Sequence, residues 1–328
     1  MTTNELNNHI EKLFGLSDRQ IDLFGDATDL KMIEALKKSM GNVQAELGKR
    51  FVKLGDKITL AEMRKFNRLE ELEKVIREEI IQLGRNLKSD ITANIKYDLQ
   101  AGYYHTGYIM ETPLNINLGF KGLNPDLIRA NILNPLDAIK WPDSLRGHLT
   151  VLNEQLRREI TTGLIQGKGF GTIARSFRNK YEMAAYKAER IVRTESQRAR
   201  SIGRNLGFDR SKEAGETLGM GVKQIWNAAL DTRTRSEHRA LDGKKASDEG
   251  TWRFSDGVTT RGPALSGVAR HDINCRCSTF TQVGEVSPEF RRDNMTKQEI
   301  QYVPYEQWAK DNKIPFESQE LLRIRAAA

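Results

Sequence analysis

The chain has 328 residues and a mass of 37.3 kDa, with a formal net charge of +8 and a mean hydropathy of −0.59. That is chain enough for about one to three domains with a sizeable core, and no run approaches the roughly 18 apolar residues of a membrane span. The opening Met1-Thr-Thr-Asn-Glu-Leu lacks the basic-then-apolar build of a signal peptide, which implies synthesis into a cytoplasm where Cys275 and Cys277 stay reduced.

The expected class is α+β: a mostly helical N-terminal and middle region followed by a small α+β module. Residues 1–111 read as helical. Ser17-Asp-Arg-Gln20 predicts a capping box ahead of Ile21, and Thr59-Leu-Ala-Glu62 predicts another that opens a long helix over 60–104. Along that helix Leu69, Leu72, Ile76, Ile80, Leu83, Leu87 and Ile91 fall at steps of three and four. The steps give an eleven-residue repeat, which favours a straight or slightly right-handed seam. The seam serves either as an oligomer contact or as packing within the chain. Tyr97, Tyr103, Tyr104, His105 and Tyr108 follow, with Lys96 the only cation beside them, and read as packing at a domain boundary or a protein interface.

Residues 112–143 hold four of the eight prolines, with Asn124-Pro125 and Asn134-Pro135 as turn initiators. The stretch is expected to be an extended connector that docks through Leu127-Ile128 and Ile132-Leu133.

The charge lies in residues 144–212, where 15 Lys and Arg stand against 6 Asp and Glu, an excess of +9 in a chain whose total is +8. The segment reads as helix, turn, helix, helix. Gly167-Lys-Gly-Phe-Gly171 lacks the Walker A pattern and follows a helix rather than a strand, so it is an interhelical turn. On the last helix Ala184, Ala188, Ile191, Glu195, Ala199, Ile202 and Leu206 make one apolar seam. Lys187, Arg190, Arg193, Arg200 and Arg204 are placed on the far side. That stripe is either a solvated face or a track for the phosphates of double-stranded DNA, read without sequence preference. Glu195, a carboxylate on an apolar line, needs a partner. Arg233 and Arg235 are the expected guanidinium forks, and an acid/base or ligand role is the alternative.

The densest chemistry lies between Trp226 and Cys277. Val222–Leu230 predicts a strand, and Thr234-Arg-Ser-Glu237 a capping box for a short helix carrying His238. Asp256-Gly257 predicts a hairpin, and Ser278–Val283 a further strand. His271, Cys275, Cys277 and His238 supply four donors suited to a structural zinc. The other reading is small buried thiols and hydrogen-bonded histidines. A disulfide across the single residue between the cysteines is disfavoured by geometry. Residues 283–328 form a polar tail with a docking helix around Tyr302-Val-Pro-Tyr305-Glu-Gln-Trp308.

Trp226, then Asp231-x-Arg233-Thr-Arg235-x-x-His238-x-x-Leu-Asp-Gly243, then Asn274-Cys-Arg-Cys277 resemble the phage head morphogenesis family, the Mu F-like proteins of tailed bacteriophages. Arg190-Ile-Val-Arg193-Thr-Glu195 is similar to that family's arginine-threonine-glutamate segment, so the resemblance spans roughly residues 150–282 within a module bounded at 144–282. It implies a minor head protein assembled in the host cytoplasm and then held in the virion interior near the portal. Partners would include the portal protein, scaffold or major capsid protein, and packaged DNA, with which such proteins in some phages are ejected. The alternative is an enzyme, a metal-assisted hydrolase or ADP-ribosyl transferase, using Glu195, Asp231 and His238 with Arg193 beside them. No His-Glu-x-x-His pattern or Gly-rich cofactor loop supports it, and no catalytic residue is assigned.

Overall fold

Thr59 caps the helix that follows it as its sequence requires. Its hydroxyl accepts from the Glu62 amide at 3.2 Å, and the Glu62 carboxylate accepts from the Thr59 amide at 2.7 Å. The computed structural model in which this is seen describes residues 2–55, 58–133, 140–284 and 289–313. In chain order the helices are α1 (Thr3–Leu54), α2 (Leu60–Arg64), α3 (Arg68–Leu114), α4 (Pro125–Leu133), α5 (Trp141–Ile165) and α6 (Phe170–Thr217). Then come β1 (Val222–Asn227), α7 (Ser236–Arg239), β2 (Trp252–Arg253), β3 (Thr259–Thr260), α8 (Ala269–Asp272), β4 (Ser278–Val283), β5 (Phe290–Arg292), β6 (Glu299–Gln301) and α9 (Tyr305–Asp311).

The expected helix over 60–104 is broken and then runs longer than expected. A 3₁₀ turn with Phe66 at φ 58° separates α2 from α3, and α3 continues through the aromatic cluster to Leu114. Ser17 starts no helix. Ile10, Phe14, Ser17 and Ile21 follow steps of four, three and four on one buried stripe of α1, and the Ser17 hydroxyl pairs with His105 Nδ1 at 2.8 Å. The connector is not extended throughout, because Asn124 Oδ1 accepts from the Asp126 amide and starts α4. The turn expected at Asn134-Pro135 lies outside the described residues. Where three helices were expected over 144–212 there are two. Gly167, at φ 65°, closes α5 in a tight turn, with the Lys168 amide bonded to Gly163 O at 2.9 Å.

The chain divides into two compact units, and they do not follow chain order. One holds residues 1–21, 98–123 and 197–328; the other holds 22–97 and 124–196. Each of α1, α3 and α6 contributes a portion to each unit. In the second unit all seven α3 seam residues are buried. Arg157 of α5 meets Glu73 of α3 at 2.7 Å, and α1 meets α6 through Ser39 and Tyr181 and through Gln44 and Ala174 O.

The first unit is built on a close helix crossing. A Cβ on Gly203 would stand 2.1 Å from Leu99 O, and one on Gly102 would stand 2.6 Å from Arg200 O, so only glycine lets α3 and α6 meet there. Beside them β1 and β4 pair antiparallel, from Val222 opposite Val283 to Asn227 opposite Ser278. Ile10, Phe14, Ile109, Met110, Phe208, Val222, Ile225, Phe280 and Val283 share one core. The Asn7 amide bonds both the carbonyl and the amide of Val283, standing in for a third strand. A module cut at residue 144 would lose Ile10, Phe14, Ile109 and Met110 from that core and is therefore not self-contained.

Candidate metal centre

β1 ends at Asn227 and delivers Trp226, fully buried, to a second core with Trp252, Phe254, Leu241, Cys275 and Cys277. The chain then turns through Asp231. The capping box expected at Thr234 and Glu237 does not form. Thr234 instead donates to Ala229 O at 2.6 Å and reaches Asp231 Oδ1 at 3.1 Å, and Arg235 takes the N-cap place of α7 without a side-chain cap. Inward-facing Thr234 fixes the loop that places α7, and α7 places His238. The Asp256-Gly257 hairpin forms as its sequence predicts, with Gly257 at φ 89° and Phe254 bonded to Val258 O.

The donor atoms of His238, Cys275 and Cys277 all lie within 4.8 Å of one another, and all three residues are buried. His238 Nδ1 is 3.5 Å from Cys275 Sγ and 3.6 Å from Cys277 Sγ. These three form a group that could hold a metal ion. Its donor chemistry, two sulfurs and an imidazole, suits a borderline-soft divalent cation. The hydrogen bond from Cys277 holds the Cys275 thiol well below its ordinary range, aided by His238 and opposed by burial. The same contact and burial push Cys277 well above its ordinary range.

The fourth expected donor does not join this group. His271 stacks on Phe254, ring centroids 4.1 Å apart and planes within 1°, and its Nε2 meets the Asp256 carboxylate at 2.8 Å. The hairpin captures the histidine that the four-residue spacing to Cys275 had suggested as a ligand. Hydrogen bonding to Arg270, the Val258 amide and His271 holds the Asp256 carboxyl well below the usual carboxylate range.

Around the cluster the motif residues act as braces. Arg276, between the two cysteines, forks onto Asp231 through Nε at 2.7 Å and Nη2 at 2.9 Å, and the Arg233 amide donates to the same carboxylate at 2.8 Å. Burial works against the Asp231 carboxylate, but Arg276 and the local donors outweigh it and its pKa is lowered. Arg235, expected to fork onto a carboxylate, donates instead to the carbonyls of His271 and Ile273 and closes the turn before the cysteines. Asn274 there takes φ 56°, a conformation asparagine tolerates. Glu195 is buried at 8 % exposure, as its place on the seam implies.

Two further braces have no signature in the local sequence. Arg291 and Asp242 form an ion pair at 2.6 Å with side chains 1 % and 2 % exposed, and Arg291 also donates to Asn227 Oδ1, Ala228 O and Val303 O. Nothing local in Phe290-Arg-Arg292 marks Arg291 as the buried one. Gln197 donates to Cys277 O at 2.6 Å, tying α6 to the second cysteine. The tail helix α9 is seated by Tyr305, whose hydroxyl donates to Asp231 O, and by Trp308, whose Nε1 donates to Asp293. Both rings pack with Leu230.

The basic stripe of α6 is split. Arg204 is 3 % exposed and donates to Asp18 Oδ1 at 2.6 Å and Thr279 O at 2.9 Å; Arg200 lies 3.5 Å from the same carboxylate. Both had been assigned to a phosphate-tracking face, and neither is available to it. From residue 197 onward β4 covers α6 on a side that the seam pattern had left to solvent. Arg193 remains 55 % exposed, beside Glu189 and 3.5 Å from Asp29, and Lys187 and Arg190 are half-buried near His148.

Residues 154–280 match the family described as Phage Mu protein F like protein. The minor head protein GP7 of Bacillus phage SPP1 is 27% identical over 312 residues, covering 94% of this chain and 97% of that one. An NAD(+)--arginine ADP-ribosyltransferase of Enterococcus faecalis is 34% identical over 212 residues, 65% of this chain, and the match spans only 42% of that protein's length. No solved structure matches.

Proposed function

Because this chain belongs to the Mu F-like family of phage minor head proteins, we propose that it associates with the portal inside the procapsid, contacts packaged double-stranded DNA without sequence preference, and has an architectural rather than enzymatic role. The observation that carries this reading is similarity over nearly the full length of both chains to a minor head protein. Portal association, with scaffold or major capsid protein as further neighbours, is tested by isolating procapsids from infected cells with and without this gene. Co-purification of the protein with portal supports it, and recovery of portal free of the protein overturns it.

The ADP-ribosyltransferase relative motivates an enzyme reading with Glu195, Asp231 and His238, but two of these three residues are already engaged. Asp231 is saturated by Arg276, Thr234 and the Arg233 amide. His238 is enclosed by Trp226, Phe254 and the thiols. Purified protein assayed for ADP-ribosyl transfer and for nuclease activity, with Glu195→Gln as control, is expected to show neither.

For the three-donor cluster the favoured occupant is zinc, held by His238, Cys275 and Cys277 in a structural role. Complete burial of all three donors argues against a site that exchanges substrate. Zinc there would join α7 to the Asn274–Cys277 turn and add its binding free energy to folding. Elemental analysis should find about one zinc per chain. Cys275→Ser with Cys277→Ser should lose both the metal and thermal stability. A metal-free protein whose melting ignores chelator would leave a pair of buried thiols.

A further inference from the structure

The segment joining α1 to α3 presents a combination the proposed function does not use. Phe66 is 71% exposed and Val52 90% exposed, the two most exposed large apolar side chains among the described residues. Phe66 and Asn67 take positive φ, 58° and 57°, one after the other. That conformation is strained for a side chain with a Cβ, and most of all for a bulky one. Chains keep such backbone where presenting a side chain matters, and here it holds the Phe66 ring in solvent.

The surroundings of the ring are cationic. Lys65 Nζ lies 5.3 Å from its centroid and the Arg68 guanidinium 5.1 Å. Arg64, Lys53 and Lys49 are exposed on the same segment. Between residues 49 and 68 the sequence carries seven Lys and Arg against two acids. Of those acids Glu62 is turned onto Thr59 as its cap. On α1 itself Glu46 pairs with Lys49 and lies 3.8 Å from Arg50, and Glu71 lies 4.0 Å from Arg50, so Lys53, Arg64, Lys65 and Arg68 carry the excess. Glu70 and Glu71 stand in the first turn of α3, where they complement the helix dipole.

We propose that this segment is a contact for double-stranded DNA. Arg64, Lys65 and Arg68 meet phosphates, and Phe66 is an apolar wedge set against the sugars and base edges of the minor groove. The inference rests on the proposed DNA association and says which surface makes it, in addition to what remains open of the α6 stripe. Charge decides the occupant. One exposed aromatic and one exposed valine amid six described cations resemble the wedge-and-cation surfaces that grip a polyanionic duplex, whereas a membrane-inserting surface would expose a larger apolar area.

The test uses the full chain and a fluorescent duplex of about 30 base pairs, titrated by anisotropy at several salt concentrations. The triple variant Arg64→Gln, Lys65→Gln, Arg68→Gln should bind at least about tenfold more weakly, with a log–log salt slope shallower by about 2 to 3. Phe66→Ala should weaken binding about fivefold with the slope unchanged, and Phe66→Trp should restore it. Arg64, Lys65 and Phe66 are exposed, and Arg68, half-buried, donates to the Glu62 carbonyl at 3.1 Å. Circular dichroism should therefore match the parent, and the single variant Arg68→Gln separates any loss of that bond from loss of binding. If the triple variant and Phe66→Ala bind like the parent while Lys187→Gln with Arg190→Gln weakens binding, this segment is not the DNA contact and the DNA reading survives. If the parent does not bind duplex even at low salt, the DNA reading itself falls. If DNA binding is unchanged but Phe66→Ala abolishes binding to vesicles of phosphatidylglycerol and phosphatidylcholine, the surface is lipid-directed and the proposal is overturned.

Discussion

Between residues 187 and 193 the cations of α6 stand half-buried or exposed, and Arg193 keeps 55 % of its side-chain surface in solvent beside Glu189 and Asp29. From residue 198 to 204 the same helix carries Arg198, Arg200 and Arg204 largely inside, and Arg204 reaches both a carboxylate and a strand carbonyl. The residue types and spacing are alike; what covers the helix is not. An arginine on a solvated face contributes charge to whatever approaches it. One that has been dehydrated and paired fixes the position of its partners and becomes costly to remove.

The sharpest way to break this contrast is to delete one arginine from each half. Arg204→Ala should destabilise the protein by about 3 kcal/mol, since it strips Thr279 O and leaves Asp18 to Arg200 alone. Urea unfolding measures it, and a loss no larger than that of Arg193→Ala would erase the distinction.

Glycines probe the same covered region. Gly203→Ala places a Cβ against the Leu99 carbonyl, a backbone atom with no freedom to retreat, and should cost about 2 to 3 kcal/mol. Gly41→Ala in α1, with nothing within 4 Å, should instead raise stability by about 0.5 to 1 kcal/mol. Opposite signs in one melting series would place the close crossing at Gly203.

Titration probes burial through pH. Burial pushes the Glu11 carboxyl up to about 8, against the favourable pull of Arg291. A carboxyl whose folded pKa is raised contributes stability that is full below its unfolded value near 4.5 and is lost as pH rises toward 8. Glu11→Gln should therefore match the parent at pH 4 and melt higher at pH 8.5. Equal melting at both pH values would mean that Glu11 is solvated. Smallest of all, Arg193→Gln should change stability by less than about 0.5 kcal/mol, as exposed ion pairs do.

What could be read from the sequence followed the range of the interactions involved. The Thr59 cap, the α3 seam, the Asp256-Gly257 hairpin and the β1 and β4 segments are each set by residues within a turn or a strand of one another, and each forms as read. Ser17 misled because a capping signal and a buried serine look alike until Ile10, Phe14 and Ile21 are seen on its stripe. His271 misled in the same way. Its spacing to Cys275 suits a ligand, but a carboxylate fifteen residues earlier and the face of Phe254 hold it.

The sequence by itself carried the resemblance to the Mu F-like family, through Asp231, His238 and Asn274-Cys-Arg-Cys277, and it determined the helical class through apolar periodicity, because both are written in neighbours along the chain. Only the tertiary structure decided which arginines lie inside, that Arg276 braces Asp231 while Arg235 closes the turn before the cysteines, that three donors rather than four converge, and that residues 1–21 share a core with β4. Apart from His271, held by a carboxylate fifteen residues earlier, each of these depends on a surface brought in from 30 or more residues away, and burial, pairing and ligand geometry are properties of that approach rather than of local order.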